Sequence, residues 1–374
     1  MMLELSADQT ALRDQARRLL AEQADSARVR RAMEADGHDA ALWRMIARDL
    51  GWCAIAIPED AGGLGLGAFD LALLLEEAGR RLAPAPLWST ACLAAPLIER
   101  LAEGAARAEW LGRIAAGASA AVALPSPASS NPFSDIAVRA LTTDAGYALT
   151  GRVAPALDLS FAEIILVPAL TEDGAALFAL STETGIGRRP LPGVDLLRPA
   201  GELVLDVVSV AHSARIDRHG LGADDVAPAL AAARIGLAAE QVGAAQGCFD
   251  LTLAYVKERV QFGRTIASFQ AIKHRCASLV VDIAEARSLV YGAAAAFDSG
   301  APEAAYEIAA AGALASRALF RVAEESIQLH GGVGATWEYD PHLYLRRAQA
   351  SSVLLGAPDD RLREIADALL GDAA

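Results

Sequence analysis

Apolar residues recur along this chain at two different periods, and the changes of period divide it into three stretches. In the first stretch the spacing is three and four. Leu12, Ala16, Leu19 and Leu20 share one helical face, Trp43, Ile46, Ala47 and Leu50 another, and Leu71, Leu74, Leu75 and Ala78 a third. Ser6-Ala-Asp-Gln9 has the form of a capping box, in which Ser6 accepts a helix amide and Gln9 reaches back. Pro58-Glu-Asp-Ala-Gly-Gly-Leu-Gly-Leu-Gly67 breaks the pattern and predicts a loop, because glycine and proline interrupt helices. Residues 1–118 are expected to form a helical domain.

Over residues 119–218 valine, threonine and alternating apolar positions appear, cut by Gly, Pro and Asp. Residues 164–169, 176–180 and 202–208 predict strands of a middle β domain. Residues 219–374 return to the helical period. Ile235, Ala238, Val242, Ala245, Phe249, Thr252 and Val256 form one face of a long helix, and Gly243 and Gly247 let a neighbour approach closely. Segments 271–298, 301–330 and 358–370 complete a predicted four-helix bundle. The chain is thus expected to be mainly α with a β middle domain.

Composition narrows the function. Of 374 residues 53% are hydrophobic. No run approaches the ~18 to 20 apolar residues of a membrane span. The net charge of −14 argues against a nucleic-acid surface, which needs a basic stripe. The N-terminus lacks a basic segment followed by an apolar one, so export is not expected. Cys53, Cys92, Cys248 and Cys276 form no close pair and read as free thiols in a reducing cytoplasm. The histidines are dispersed, so no metal site is expected.

Candidate chemistry concentrates in Arg259-Val-Gln-Phe-Gly-Arg-Thr-Ile-Ala-Ser-Phe-Gln-Ala-Ile-Lys-His274 and Gln328-Leu-His-Gly-Gly-Val-Gly334. Arg259 follows a helix and opens a loop, where a planar guanidinium can bind phosphate oxygens in pairs. An isolated arginine there is more often a surface residue. Gly331 and Gly332 let a ligand approach the backbone, although such glycines also end helices. The segment before them reads as helix, which excludes the strand-led dinucleotide fingerprint. Lys273 and His274 suit either a phosphate or a solvated face.

Together with the order Leu-Gly-Trp52, the loop at 58–67 and Leu-Glu-Glu-Ala-Gly-Arg80, these motifs resemble the acyl-CoA dehydrogenase family, flavoenzymes that desaturate acyl-CoA thioesters. The resemblance spans about residues 1–370, and 336–348 resemble a bacterial branch that includes subunits acting on steroid side-chain and other bulky acyl-CoAs. It implies an N-terminal α-helical domain, a β-barrel or sandwich middle domain and a C-terminal four-helix bundle. It implies FAD, contacted across a subunit boundary by Arg259, Gln261, Phe262, Phe269, Gln270, Gln328, Gly331 and Gly332, with Ser134 on the ring side and Arg234 beside the substrate. Electrons would pass to an electron-transfer flavoprotein or a similar acceptor.

The chain departs from the family where the chemistry sits. Desaturation needs a carboxylate that removes a proton while hydride leaves to the flavin. Counting without a gap from Gly331-Gly332, the family's glutamate falls on Leu355, and the alternative position falls on Ala233. Neither side chain accepts a proton. Glu240 and Asp250 are expected to be solvent-facing or structural. The ring-side loop becomes Pro125-Ser-Pro-Ala-Ser-Ser-Asn-Pro-Phe-Ser-Asp135, with Phe133 in place of a glycine, and the following strand at 151–158 has no tryptophan. Ser126 and Ser129 are candidate hydrogen-bonding groups in that loop, or simple turn residues. The expectation is a base-lacking partner of a homologous subunit in a heterotetramer. A homodimer or homotetramer with another base, Glu240 or Glu338, and a flavin-free acyl-CoA-binding or scaffold subunit are the other readings.

Overall fold

The capping box sets the first helix. In the computed structural model, which describes residues 4–182, 185–218 and 220–371, Ser6 Oγ accepts from the Gln9 amide and Gln9 Oε1 from the Ser6 amide, both at 3.1 Å. The helical region comprises α1 (Ala7–Gln23), α2 (Ser26–Glu34), α3 (Ala40–Trp43), α4 (Ala68–Arg80), α5 (Ala95–Leu101) and α6 (Gly104–Ala115). Arg44–Asp49 and Trp88–Ala94 wind as π-helix. The first of these corrects one expectation. Leu50 ends the π-turn and is 39% exposed, because the wider turn rotates it off the face that buries Ile46 and Ala47.

One seven-stranded sheet follows, built from β1 (Ala120–Val122), β2 (Arg139–Thr143), β3 (Gly146–Leu157), β4 (Ile164–Thr171), β5 (Gly174–Ser181), β6 (Gly187–Leu191) and β7 (Ala200–Ala211). Its order is β1-β4-β2-β3-β7-β6, with β5 antiparallel along β4. The predicted strands are β4, β5 and β7. Sequence periodicity missed β3 because its register slips between Leu149 and Gly151 and between Val153 and Ala156, which breaks the alternation. Alternation in β4 joins two cores: Ile165 and Val167 pack within the sheet region, while Ile164 and Leu166 enter the core shared with the helices.

The C-terminal part holds α7 (Ala223–Glu258), β8 (Val260–Gln261), β9 (Arg264–Thr265), α8 (Gln270–Asp298), α9 (Ala304–His330), α10 (Pro341–Ser351) and α11 (Pro358–Leu370). α7, α8, α9 and α11 are the predicted bundle, and α10 packs on α7 and α9. The expected domain limits at 1, 219 and 374 lie outside the described residues.

Glycines fix how α7 meets α4. A Cβ on Gly79 would lie 2.0 Å from the Glu240 carbonyl oxygen, one on Gly243 1.8 Å from that of Glu76, and one on Gly247 2.0 Å from that of Arg80. The helices therefore touch backbone to backbone. The sequence indicated Gly243 and Gly247; Gly79 is their counterpart on the facing helix. By contrast, a Cβ on Gly292 in α8 would meet nothing nearer than 3.8 Å. Gly243→Ala is expected to destabilise the protein by about 1–3 kcal/mol through overpacking. Gly292→Ala should stabilise it by about 0.4–1 kcal/mol by restricting the unfolded chain. Urea unfolding of both variants checks the pair of signs.

Candidate active site

Two exposed motifs meet at one end of the helical bundle. The Arg259 amide donates to the Tyr255 carbonyl at 2.8 Å, ending α7, and the Ile266 amide donates to the Arg259 carbonyl at 2.8 Å. Between them Phe262 and Gly263, with φ of 52° and 75°, make the two-residue turn of a β8–β9 hairpin. The Phe262 ring is 92% exposed and stands edge-on to Phe269 at 6.2 Å. The Arg264 guanidinium lies over Phe269 at 4.0 Å. Gln261, Gln270, Lys273 and His274 are exposed, and the Gln261 amide group donates to the Val260 carbonyl at 2.9 Å. Among the described residues the Arg259 guanidinium has no ion pair.

Gln328 on α9 and Gly331 and Gly332 just beyond its end are exposed, and a Cβ on either glycine would meet nothing within 4 Å. Gly331, at φ 66°, ends the helix, so its conformation favours glycine; Gly332 is free of that constraint. Tyr255 joins the two motifs. Its ring stacks on His330 at 4.2 Å, and its hydroxyl donates to the His330 carbonyl at 3.2 Å. Sequence reasoning missed Tyr255, whose one signal was its place a turn before Arg259. The surface offers cations, an exposed aromatic ring and open backbone, a donor set that fits the pyrophosphate and rings of FAD approaching from outside the chain.

The two base positions lie elsewhere, in closed packing. Leu355 is 1% exposed with φ 57°, and its amide donates to the Pro127 carbonyl at 2.9 Å. Around it Trp88, Leu93, Leu124, Pro155, Leu157 and Leu354 leave a void of about 10 Å³. That is room for about one water. The ring-side loop folds inward: Phe133 is buried, the Ser134 amide donates to the Asn131 carbonyl at 3.1 Å, and Ser126 Oγ donates to the Ser134 carbonyl at 3.4 Å. Ala233 is fully buried, and its carbonyl accepts from Trp88 Nε1 at 2.9 Å.

Arg234, expected beside substrate, pairs with Glu364 at 3.1 Å and donates to the Ser130 carbonyl at 3.2 Å. Arg361 sits beneath the turn, 2% exposed, and donates to the Gly356 and Leu354 carbonyls at 3.1 and 3.0 Å. Burial, reinforced by the positive charge of Arg234, brings its pKa down to about 10. Gly312 makes room for it, since a Cβ there would lie 1.6 Å from Arg361 Nη1. Nothing local marks Arg361 in a segment that reads as a solvated helix.

Glu240 is structural and buried, not solvent-facing. Its carboxylate bridges Arg198 and Arg347, Arg347 also holds Asp195, and the Arg198 guanidinium lies 5.3 Å from the Trp88 ring. Asp250 is half-buried and pairs with Arg80. Glu338 is exposed, and the Thr336 hydroxyl beside it holds its carboxyl below the usual range. Among the described residues no group of three or more His, Cys, Asp and Glu is placed to hold a metal, and no helix is long and apolar enough to cross a membrane.

Comparison with known proteins agrees with this architecture. The family description "Acyl-CoA dehydrogenase, N-terminal domain" matches residues 6–118, and "Acyl-CoA dehydrogenase, C-terminal domain" matches 220–370. The chain is 35% identical over 362 residues to the acyl-CoA dehydrogenase IpdE2 of Mycolicibacterium smegmatis, covering 96% of this chain and 98% of that protein. It resembles a variant of the Tcur3481–Tcur3483 steroid ACAD with a TM-score of 0.83 at 30% identity, over 98% of both chains. It resembles the ChsE4–ChsE5 complex of Mycobacterium tuberculosis with a TM-score of 0.87 at 26% identity, over 100% of both chains. The chain belongs to the acyl-CoA dehydrogenase family of oxidoreductases.

His330 makes this end of the bundle sensitive to acid. Burial lowers its pKa, opposed by its 2.7 Å hydrogen bond to the Ser326 carbonyl. A lowered folded pKa means that the unfolded chain takes up the proton first. The stability that neutral His330 contributes is present above the unfolded value of about 6.5 and is lost as pH falls below it. Urea midpoints are expected to drop between about pH 7 and 5, and to drop less in His330→Gln.

Proposed function

We propose that this chain is the base-lacking subunit of a hetero-oligomeric, FAD-dependent acyl-CoA dehydrogenase, and that a homologous subunit supplies the carboxylate. The observation that carries this reading is Leu355 in a void of about 10 Å³, at the position where the family places its base. No flavin ring or thioester fits there without opening the loop at 125–135. Glu240 is a poor substitute, because using it breaks two buried ion pairs.

The exposed end of the bundle supports a role toward the partner's cofactor. Arg259 binds pyrophosphate oxygens there, Gln270 and Gln328 supply hydrogen bonds, Phe262 and Phe269 supply ring faces, and Gly331 and Gly332 admit the cofactor to the backbone. The Ser134 amide and carbonyl are bound within their own loop while its hydroxyl has no hydrogen bond among the described residues, and Arg234 is held by Glu364 and the Ser130 carbonyl. FAD, when bound, supplies the hydride acceptor, and an electron-transfer flavoprotein or similar acceptor takes the electrons onward. Two of the similar structures carry the names of paired chains, which supports a two-component assembly. The steroid ACAD likeness supports a bulky acyl-CoA as substrate. Three buried cysteines and a half-buried fourth, all free, suit the cytoplasm.

Two measurements test this. Purified alone, the chain is expected to hold no FAD and to show no acyl-CoA-dependent flavin bleaching; copurified with a homologous partner, the assembly should hold fewer FAD than chains. One FAD per chain with rapid bleaching in the lone protein overturns the proposal. In the assembly, Arg259→Ala should weaken FAD binding about ten- to a hundredfold, the loss of one charge-assisted hydrogen bond. Unchanged affinity removes Arg259 from the cofactor surface.

A further inference from the structure

A second apolar space lies on the far side of Trp88. A chamber of about 380 Å³ opens between the start of α4, the π-turn leading into α5, the first half of α7 and the end of α8. This lies within the ~300–1,000 Å³ range of small-molecule sites. Its walls carry short side chains: Ala72, Ala91, Ala95, Ala229, Ala232 and Gly236. They stand among longer side chains, Ile57, Leu66, Leu71, Leu111 and Phe297, but the alanines and the glycine have no rotamers with which to collapse, so that part of the space is built into the backbone packing. It is separate from the void at Leu355. A Cβ on Gly236 would lie 2.4 Å from Cys92 Sγ and 3.5 Å from Trp88 Cδ1, and the Trp88 indole is held by the Ala233 carbonyl.

The rim carries three charged groups, of which two are committed. Glu99 accepts from Arg107 at 2.9 and 3.0 Å. Asp298 accepts from the Ala68 and Phe69 amides at 2.8 and 2.9 Å, capping α4. Arg100 is exposed, and among the described residues it has neither hydrogen bond nor ion pair. The uncommitted charge at the mouth of this apolar chamber is therefore positive.

We infer that the chamber binds an amphipathic anion, with an apolar acyl or alicyclic body against the alanine walls and a negative end at Arg100. The site is independent of the base-lacking reading, because it shares no residue with the Leu355 void or with the Arg259 surface. A free carboxylate and a CoA thioester, whose phosphates are also anionic, share this chemistry.

Calorimetric titration of the full chain with octanoate, octanamide and octanoyl-CoA tests it. Octanoate should bind saturably, and neutral octanamide about tenfold more weakly. Arg100→Gln should weaken octanoate about tenfold and leave octanamide unchanged. Ala95→Leu and Ala232→Leu, which fill the chamber from opposite walls, should each abolish binding, whereas Arg259→Ala should not alter it. Tighter octanoyl-CoA identifies the thioester as ligand, and tighter octanoate the free acid; either supports the site. Absence of saturable binding by all three probes, or binding that survives a folded filling variant, overturns it.

Discussion

The contact between the backbones of α4 and α7 is the constraint on which the other arrangements depend. Peptide oxygens, not side chains, set the distance at Gly79, Gly243 and Gly247, so the helices cannot slide or separate without opening a gap along both. α7 carries Ala233, Arg234 and Glu240 in its middle and Arg259 at its end, so one contact places both the buried middle of the helix and the exposed end at Arg259. From the same crossing, Glu76 reaches α8 through Arg287 and Tyr291, each at 2.8 Å. Glu240 reaches α10 through Arg347 and the β6–β7 connection through Arg198. The Glu240 pairs are buried on both sides, so removing one partner strands the other charge in a medium that cannot solvate it. They register the helices against the sheet more than they add stability.

The departures from the family's catalytic pattern form one connected structure. The loop at 125–135 is tied to the turn at 354–356 by the Leu355 amide and to α7 by Arg234. Arg361 holds the same turn from below, in a notch that only Gly312 leaves open. The position of Leu355 is closed by packing, and hydrogen bonds around the leucine satisfy the backbone that the tight turn exposes.

What could be read from the sequence follows the range of the interaction. Helix periodicity, the capping box, the three clearest strands and the glycines of α7 are local signals, and they located those elements. The two expected cofactor motifs stood out because their residues are contiguous. Leu355 and Ala233 came from counting, as expected base positions that carry no carboxylate. The remainder depends on partners distant in the chain: Tyr255 on His330, Leu355 on Pro127, Glu240 on Arg347, Arg361 on Leu354 and Gly312. Leu50 has a different, local cause: its helical spacing was correct but its turn is wider than an α-turn.

The burial of Leu355 also constrains what can replace it. Its neighbours are mostly leucines, prolines and the Trp88 ring, with Val122 and the Ser89 hydroxyl, which already donates to Asp158; Arg361 is held by the carbonyls of Leu354 and Gly356 on either side of it. A glutamate placed there by a single change would be desolvated, which pushes its pKa up, while the nearby Arg361 pulls the other way. On the base-lacking reading, a working base at this position therefore needs changes in the loop at 125–135 and in the turn as well as at residue 355, because a single side chain enters a space that is already closed.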